Sequence, residues 1–185
     1  MEERQLIEGC IRGEAEARKR IYEMHASAMM SVCQRYVRCP ETVRDLLHDG
    51  FIKLFTKIQD YSGAGSFGGW VRRIFVTTAI DHLRLNDALR HSAEVECLDY
   101  MINDRDISIY EYLSANELFE CVTKLPEIYR TVFNMHAIEG YTHVEIAKEL
   151  EINENTVRWR YTKARELLQN MLANEVSNWK AVSNY

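Results

Sequence analysis

Between Thr156 and Arg165 the chain reads T-V-R-W-R-Y-T-K-A-R, a run with four basic residues and no acidic one. The chemistry that Arg158, Arg160, Lys163 and Arg165 offer is recognition: charge-assisted hydrogen bonds to phosphate oxygens and paired contacts to base edges. Asn153 and Asn155 just before this run and Thr156 at its start add short polar groups, and Trp159 adds a large apolar face. Surface bases on an amphipathic helix are common in proteins that never meet nucleic acid. The elements that hold these residues therefore have to decide the matter.

Those elements read as two short helices around a turn. Thr142 followed by Glu145 is a capping box, which satisfies orphan backbone donors at a helix start. From His143 onward, Val144, Ala147 and Leu150 are expected on the inner side with Ile146 flanking, the small Ala147 allowing a second helix close approach. Leu150-Glu151-Ile152 makes the turn, and Asn153 caps a second helix whose apolar side is Val157, Tyr161, Ala164 and Leu168. This is how a chain presents side chains to a DNA major groove.

The first half of the chain offers a different surface. Val43, Leu46, Leu47, Phe51, Leu54, Phe55 and Ile58 follow helical spacing between Thr42 and Ile58, with Arg44, Asp45, His48, Asp49, Lys53 and Lys57 on the other side. Ile52 falls on that polar side, where it gains little from folding and could gain from a partner. The following loop sets Gly63, Gly65, Gly68 and Gly69 among Tyr61, Phe67 and Trp70, a combination of backbone freedom and ring faces suited to holding an unstacked base. The same aromatics could instead fold back into the core, and for Trp70 the pattern does not separate the two. From Trp70 to Leu85 the chain reads as a helix with Val71, Ile74, Phe75 and Thr78 inward and Arg73, Thr77, Asp81 and Arg84 along an outer face.

The composition fits an all-α protein of two small helical domains. Its 185 residues include two prolines and eight glycines, and no alternating run argues for a sheet. The formal net charge of -5 is unevenly spread, because Glu94 to Glu120 holds one base against eight acids while the flanking halves are nearly balanced. Glu94 to Tyr112 has weak periodicity and reads as an acidic linker. The start, M-E-E-R-Q-L-I-E-G-C, lacks a signal peptide's apolar stretch, and no run is long enough to span a bilayer, so a cytoplasmic protein without membrane insertion is expected. Cys10, Cys33, Cys39, Cys97 and Cys121 show no paired C-x-x-C spacing, and no disulfide, zinc site or other cofactor is expected. Six histidines show no H-E-x-x-H or comparable spacing, which argues against a metalloenzyme.

Taken together, three stretches resemble the extracytoplasmic-function (ECF) sigma factors, the small promoter-recognition subunits of bacterial RNA polymerase. D-L-L-H-D-G-F-I-K-L-F resembles the polymerase-binding helix, S-F-G-G-W-V-R-R-I-F-V-T-T-A-I-D-H-L-R the minus-ten segment, and L-P-E-I-Y-R-T-V-F with E-I-A-K-E-L and T-V-R-W-R-Y-T-K-A-R the minus-thirty-five domain. The resemblance implies that Asp45, His48, Asp49, Ile52, Lys53 and Phe55 dock on the beta-prime clamp helices of core polymerase. It implies that Tyr61, Ser66, Phe67, Trp70, Arg73, Thr77 and Arg84 engage the single-stranded minus-ten element. Asn153, Asn155, Thr156, Arg158, Trp159, Arg160, Lys163 and Arg165 would engage duplex DNA at minus thirty-five. The corresponding domains are 1–93 and 114–175, with the linker at 94–113 and a tail at 176–185; an anti-sigma protein is an implied partner. Three positions depart from the family's habit: Thr77 where an Asn is frequent, Glu151 where the turn usually has Gly, and Trp159 where the helix usually has a small residue. The competing interpretations are a one-component regulator that binds DNA with the C-terminal helices alone, and an enzyme.

Overall fold

The structure is a computed structural model that describes residues 3–90 and 115–182, with side chains over 3–85 and 118–173. The acidic linker at 94–113 and Cys97 lie outside the described residues. The chain divides into two compact units, Met1–Leu89 and Arg90–Tyr185. The elements described in both are helical.

The first unit contains α1 (Glu3–Ile11), α2 (Ala15–Tyr36), α3 (Pro40–Lys57) and α4 (Phe67–Arg90), with a short 3-10 turn at Ile58–Asp60. Pro40 opens α3, a first-turn position whose missing N–H has no intrahelical acceptor anyway, so the helix starts two residues before Thr42. Its core holds Ile21, Val32, Tyr36, Leu54, Val71, Phe75 and Ile80 with almost no exposure. Phe51 is the ring at the centre of the α2–α3–α4 packing, 4.5 Å from Tyr22, 6.0 Å from Phe55 and 5.1 Å edge-on from Phe75. Gly50 lets α3 approach α4 closely: a Cβ there would stand 2.3 Å from Phe75 Cε1. The inward set expected on α4 is buried at Val71, Phe75 and Thr78, whereas Ile74 is half-buried.

The second unit is built from α5 (Ala115–Lys124), α6 (Glu127–Phe133), α7 (His143–Leu150) and α8 (Glu154–Val182). α6 runs into a π-helical turn, Asn134–Ile138, in which the Glu139 N–H reaches the Asn134 carbonyl. α8 continues through Val182, past residue 176 where the sequence pattern puts the start of a tail. The core joins Cys121, Val122, Leu125 and Phe133 to Ala164, Leu168 and Leu172 of α8. Arg130 is buried beneath the α5–α6 junction, donating from Nη1 to the carbonyls of Thr123 (3.2 Å) and Leu125 (3.1 Å). It thus ties the last turn of α5, at Thr123, to the junction residue Leu125.

One expectation about α7 is corrected. Val144 is 62% exposed, Ala147 and Leu150 are half-buried, and Ile146 is the residue sealed against the rest of the unit. In a helix of eight residues the apolar positions allow more than one inner face, and α7 turns the Ile146 side toward the interior.

Candidate nucleic-acid interface

The helix pair that carries the basic residues is set by its caps. The Thr142 N–H donates to Glu145 Oε2 at 2.8 Å while the Glu145 N–H donates to Thr142 Oγ1 at 3.2 Å, closing the capping box at the start of α7. Glu151 ends that helix at φ 55, ψ 39, a left-handed conformation whose N–H serves the Ala147 and Lys148 carbonyls. That conformation costs an L-residue roughly 1–2 kcal/mol. The Ile152 N–H also returns to the Ala147 carbonyl, at 3.0 Å, so the turn is hydrogen-bonded as well as tight. Asn153 accepts the Asn155 N–H at 2.8 Å and fixes the start of α8.

This cap brings Asn153, Asn155 and Arg158 together as exposed groups in the first turns of α8. Thr156, Trp159, Arg160, Lys163 and Arg165 are half-buried. Trp159 packs edge-on against Tyr129 at 5.8 Å, so part of its apolar area belongs to the unit's own packing. Lys163 pairs with Glu166 at 2.7 Å, and the Arg165 guanidinium lies 5.9 Å from the Tyr161 ring centroid. Arg158 is held by Glu154, a residue outside the sequence-derived set.

In the first unit, Tyr61, Phe67 and Trp70 form a ring cluster with centroid separations of 5.2, 5.4 and 5.7 Å. Phe67 is 1% exposed and lies within the fold, while Tyr61 and Trp70 are half-buried. The two alternatives for these aromatics therefore divide between residues: Phe67 is core, and its neighbours keep accessible area. Gly63 and Gly65 have φ 78 and 87, and the Tyr61 hydroxyl donates to the Gly65 carbonyl at 2.8 Å, tying the loop across itself. Ser66 accepts the Gly69 N–H at 3.1 Å and caps α4, which starts three residues before Trp70. Beyond it, Arg73 is exposed and Arg84 half-buried, whereas the Thr77 hydroxyl donates to the Arg73 and Ile74 carbonyls of its own helix, both at 3.0 Å.

On α3, Asp45, His48, Asp49 and Ile52 are exposed, Ile52 by 53%, and form one strip with half-buried Lys53. Phe55 lies at its edge, stacked on Phe51 with the Arg18 guanidinium 5.8 Å from its ring centroid. Lys53 makes an ion pair at 3.0 Å with Asp81 of α4, tying the strip to the helix that carries Arg73 and Thr77. A pair separated by 28 residues leaves no local signal in the sequence.

Two histidines that spacing leaves unremarked are engaged in packing. His143 lies 4.3 Å from the His136 ring, whose Nδ1–H donates to the Tyr141 carbonyl at 2.7 Å. Burial, then His136 and Arg158, push the His143 pKa down, while Glu154 pushes it up. His25, edge-on to Phe67 at 5.7 Å, is lowered by burial, with Glu3 opposing. Both rings therefore favour the neutral form in the fold and bind protons more readily when unfolded. Their contribution is intact above the ordinary histidine value of 6.5 and is lost as pH falls through the lower folded values. Thermal midpoints are accordingly expected to drop between about pH 7.5 and pH 5.5, and a His25→Phe, His143→Phe double variant to flatten that drop. An unaltered pH slope in the variant would refute the assignment.

Among the described residues no group of three or more His, Cys, Asp or Glu is placed to hold a metal ion, and no helix is long and apolar enough to cross a membrane. Cys10, Cys33 and Cys121 are buried thiols, and burial pushes the Cys33 thiol up to about 12.

Comparison with known proteins gives this geometry a context. Residues 21–88 match the family model for Sigma-70 region 2, and residues 115–168 match that for Sigma-70, region 4. The chain belongs to the sigma-70 family, in its ECF group, and is a promoter-recognition factor of transcription initiation. It is similar to the ECF RNA polymerase sigma-E factor of Haemophilus influenzae, 27% identical over 177 residues covering 90% of this chain and 93% of that protein. The RNA polymerase sigma-H factor of Pseudomonas aeruginosa is 23% identical over 181 residues, covering 92% and 94% respectively. Among solved structures, the sigma factor RpoE in complex with the anti-sigma factor NepR from Bartonella quintana shares the fold at TM-score 0.50 and 17% identity, covering 84% of this chain and 96% of that one.

Proposed function

We propose that this chain binds core RNA polymerase through the α3 strip, captures unpaired minus-ten bases with the Tyr61–Trp70 loop and α4, and grips duplex DNA at minus thirty-five with α8. Melting is driven by binding: unstacking requires a few kcal/mol, and each base stacked on an aromatic ring returns about 1–3 kcal/mol. In this scheme the chain has no catalytic centre and needs no cofactor. It works in the cytoplasm, and an anti-sigma protein, of the kind RpoE carries in the Bartonella complex, is a further partner.

The observation that carries the proposal is the tethered glycine loop with Tyr61 and Trp70 half-exposed on a buried Phe67. A one-component regulator reading duplex DNA with α7 and α8 alone has no use for such a platform. The test is promoter-specific initiation with purified core polymerase. Trp70→Ala is expected to lower open-complex formation by about tenfold, with duplex binding at minus thirty-five little changed. Alanine at Asn155, Thr156, Arg158 or Lys163 is expected to weaken duplex binding by about 1–3 kcal/mol where a base contact is lost. Absence of stimulated transcripts across a genomic library would overturn the proposal.

A further inference from the structure

The first turn of α8 contains an acid at the end of the helix that approaches DNA. Glu154 is its first residue, and Glu154 Oε1 accepts from Arg158 Nε at 3.0 Å and from Nη2 at 2.6 Å. As a stabilising contact this i,i+4 pair adds little, because both side chains are substantially exposed, 54% for Arg158 and 37% for Glu154. Near phosphates the carboxylate also opposes binding by like-charge repulsion. The geometry of the pair gives it another use.

An arginine has two edges for paired hydrogen bonds: the side edge, Nε with Nη2, and the end edge, Nη1 with Nη2. Glu154 occupies the side edge, which leaves the end edge directed away from the carboxylate. It also removes rotamer freedom that Arg158 would otherwise lose on binding. An end-on guanidinium matches the O6 and N7 acceptors of guanine in the major groove and no other base's pair. Resting on the minus-thirty-five function proposed above, we propose that Glu154 is a positioning residue that holds Arg158 for bidentate recognition of one guanine in the duplex element. Glu154 exchanges some affinity for discrimination.

The test uses the full chain assembled with core polymerase and a duplex library randomised over the minus-thirty-five element, read by sequencing of bound molecules. With the natural chain, one position is expected to select guanine. Arg158→Ala removes that selection, and Glu154→Ala lowers it by about 5- to 10-fold at the same position while raising binding to unrelated sequences. Glu154→Gln, whose amide oxygen still accepts from Arg158, retains part of the selection. The double alanine variant matches Arg158→Ala at that position, because the carboxylate acts through the arginine. A uniform affinity increase in Glu154→Ala with unchanged base frequencies would reduce the pair to a surface contact and overturn the inference. Loss of a cytosine preference at a different position would overturn it too, since Glu154 would then read a base itself. If the natural chain selects no sequence at all, the minus-thirty-five function fails first, an outcome distinct from either.

Discussion

Alanine in place of Arg130 is expected to lower the stability of the C-terminal unit by about 3 kcal/mol, with the α5–α6 junction opening first. The guanidinium is almost wholly buried and donates to two carbonyls, Thr123 O and Leu125 O. Its removal takes a charged donor from both carbonyls and opens a void beside Leu125, which is fully buried. Hydrogen bonds to a charged group contribute about 1.5–3 kcal/mol each, and part of the loss returns because the charge no longer has to be desolvated. Denaturant unfolding followed by tryptophan fluorescence in a Trp70→Phe background reports on this unit alone, since the other tryptophans, Trp159 and Trp179, both fall within its stretch of the chain. A destabilisation below about 1 kcal/mol would mean that water reaches those carbonyls and that Arg130 does not hold the α5–α6 junction together.

The second large effect is expected at Gly50. Alanine in a helix interior ordinarily gains about 1 kcal/mol over glycine. Here the added Cβ meets three atoms of the Phe75 ring at 2.3, 2.5 and 2.8 Å. That ring is fully buried and held edge-on by Phe51, so it has little room to retreat, and overpacking of this kind costs about 1–3 kcal/mol or more. We expect Gly50→Ala to destabilise the N-terminal unit by about 2 kcal/mol net, and Phe75→Leu to be better tolerated in the Gly50→Ala background than in the natural chain. Urea unfolding of the full chain followed by circular dichroism supplies both comparisons. A more stable Gly50→Ala variant would show that α3 and α4 can separate without penalty.

Local rules made much of the second unit readable from the amino acids. The Thr142–Glu145 box, the Glu151 turn and the Asn153 cap each involve groups within a few residues of one another, and all three have the expected geometry. The inner face of α7 was not readable, because choosing Ile146 over Val144 depends on what the helix packs against. The same limit governs the aromatic loop: F-G-G-W does not say that Phe67 goes inside while Trp70 stays half-exposed, since that division is set by α4 beginning at Phe67, capped by Ser66, rather than at Trp70. The Lys53–Asp81 pair and the His136–His143 contact join separate elements, so they follow from packing and not from pattern. The Glu154–Arg158 pair is local, at i and i+4, but the acid-free run from Thr156 to Arg165 begins after Glu154 and so does not include it.

The Tyr61 hydroxyl on the Gly65 carbonyl has a consequence for how quickly a promoter could be engaged. A slack glycine loop searches many shapes, and an encounter succeeds only when a base arrives during the brief residence of the right one. Under the base-capture role proposed for this loop, the tether narrows that search before any DNA is near and raises the fraction of loops ready to accept a base. Loop preorganisation of this kind shortens the waiting time without adding a single contact to the final complex.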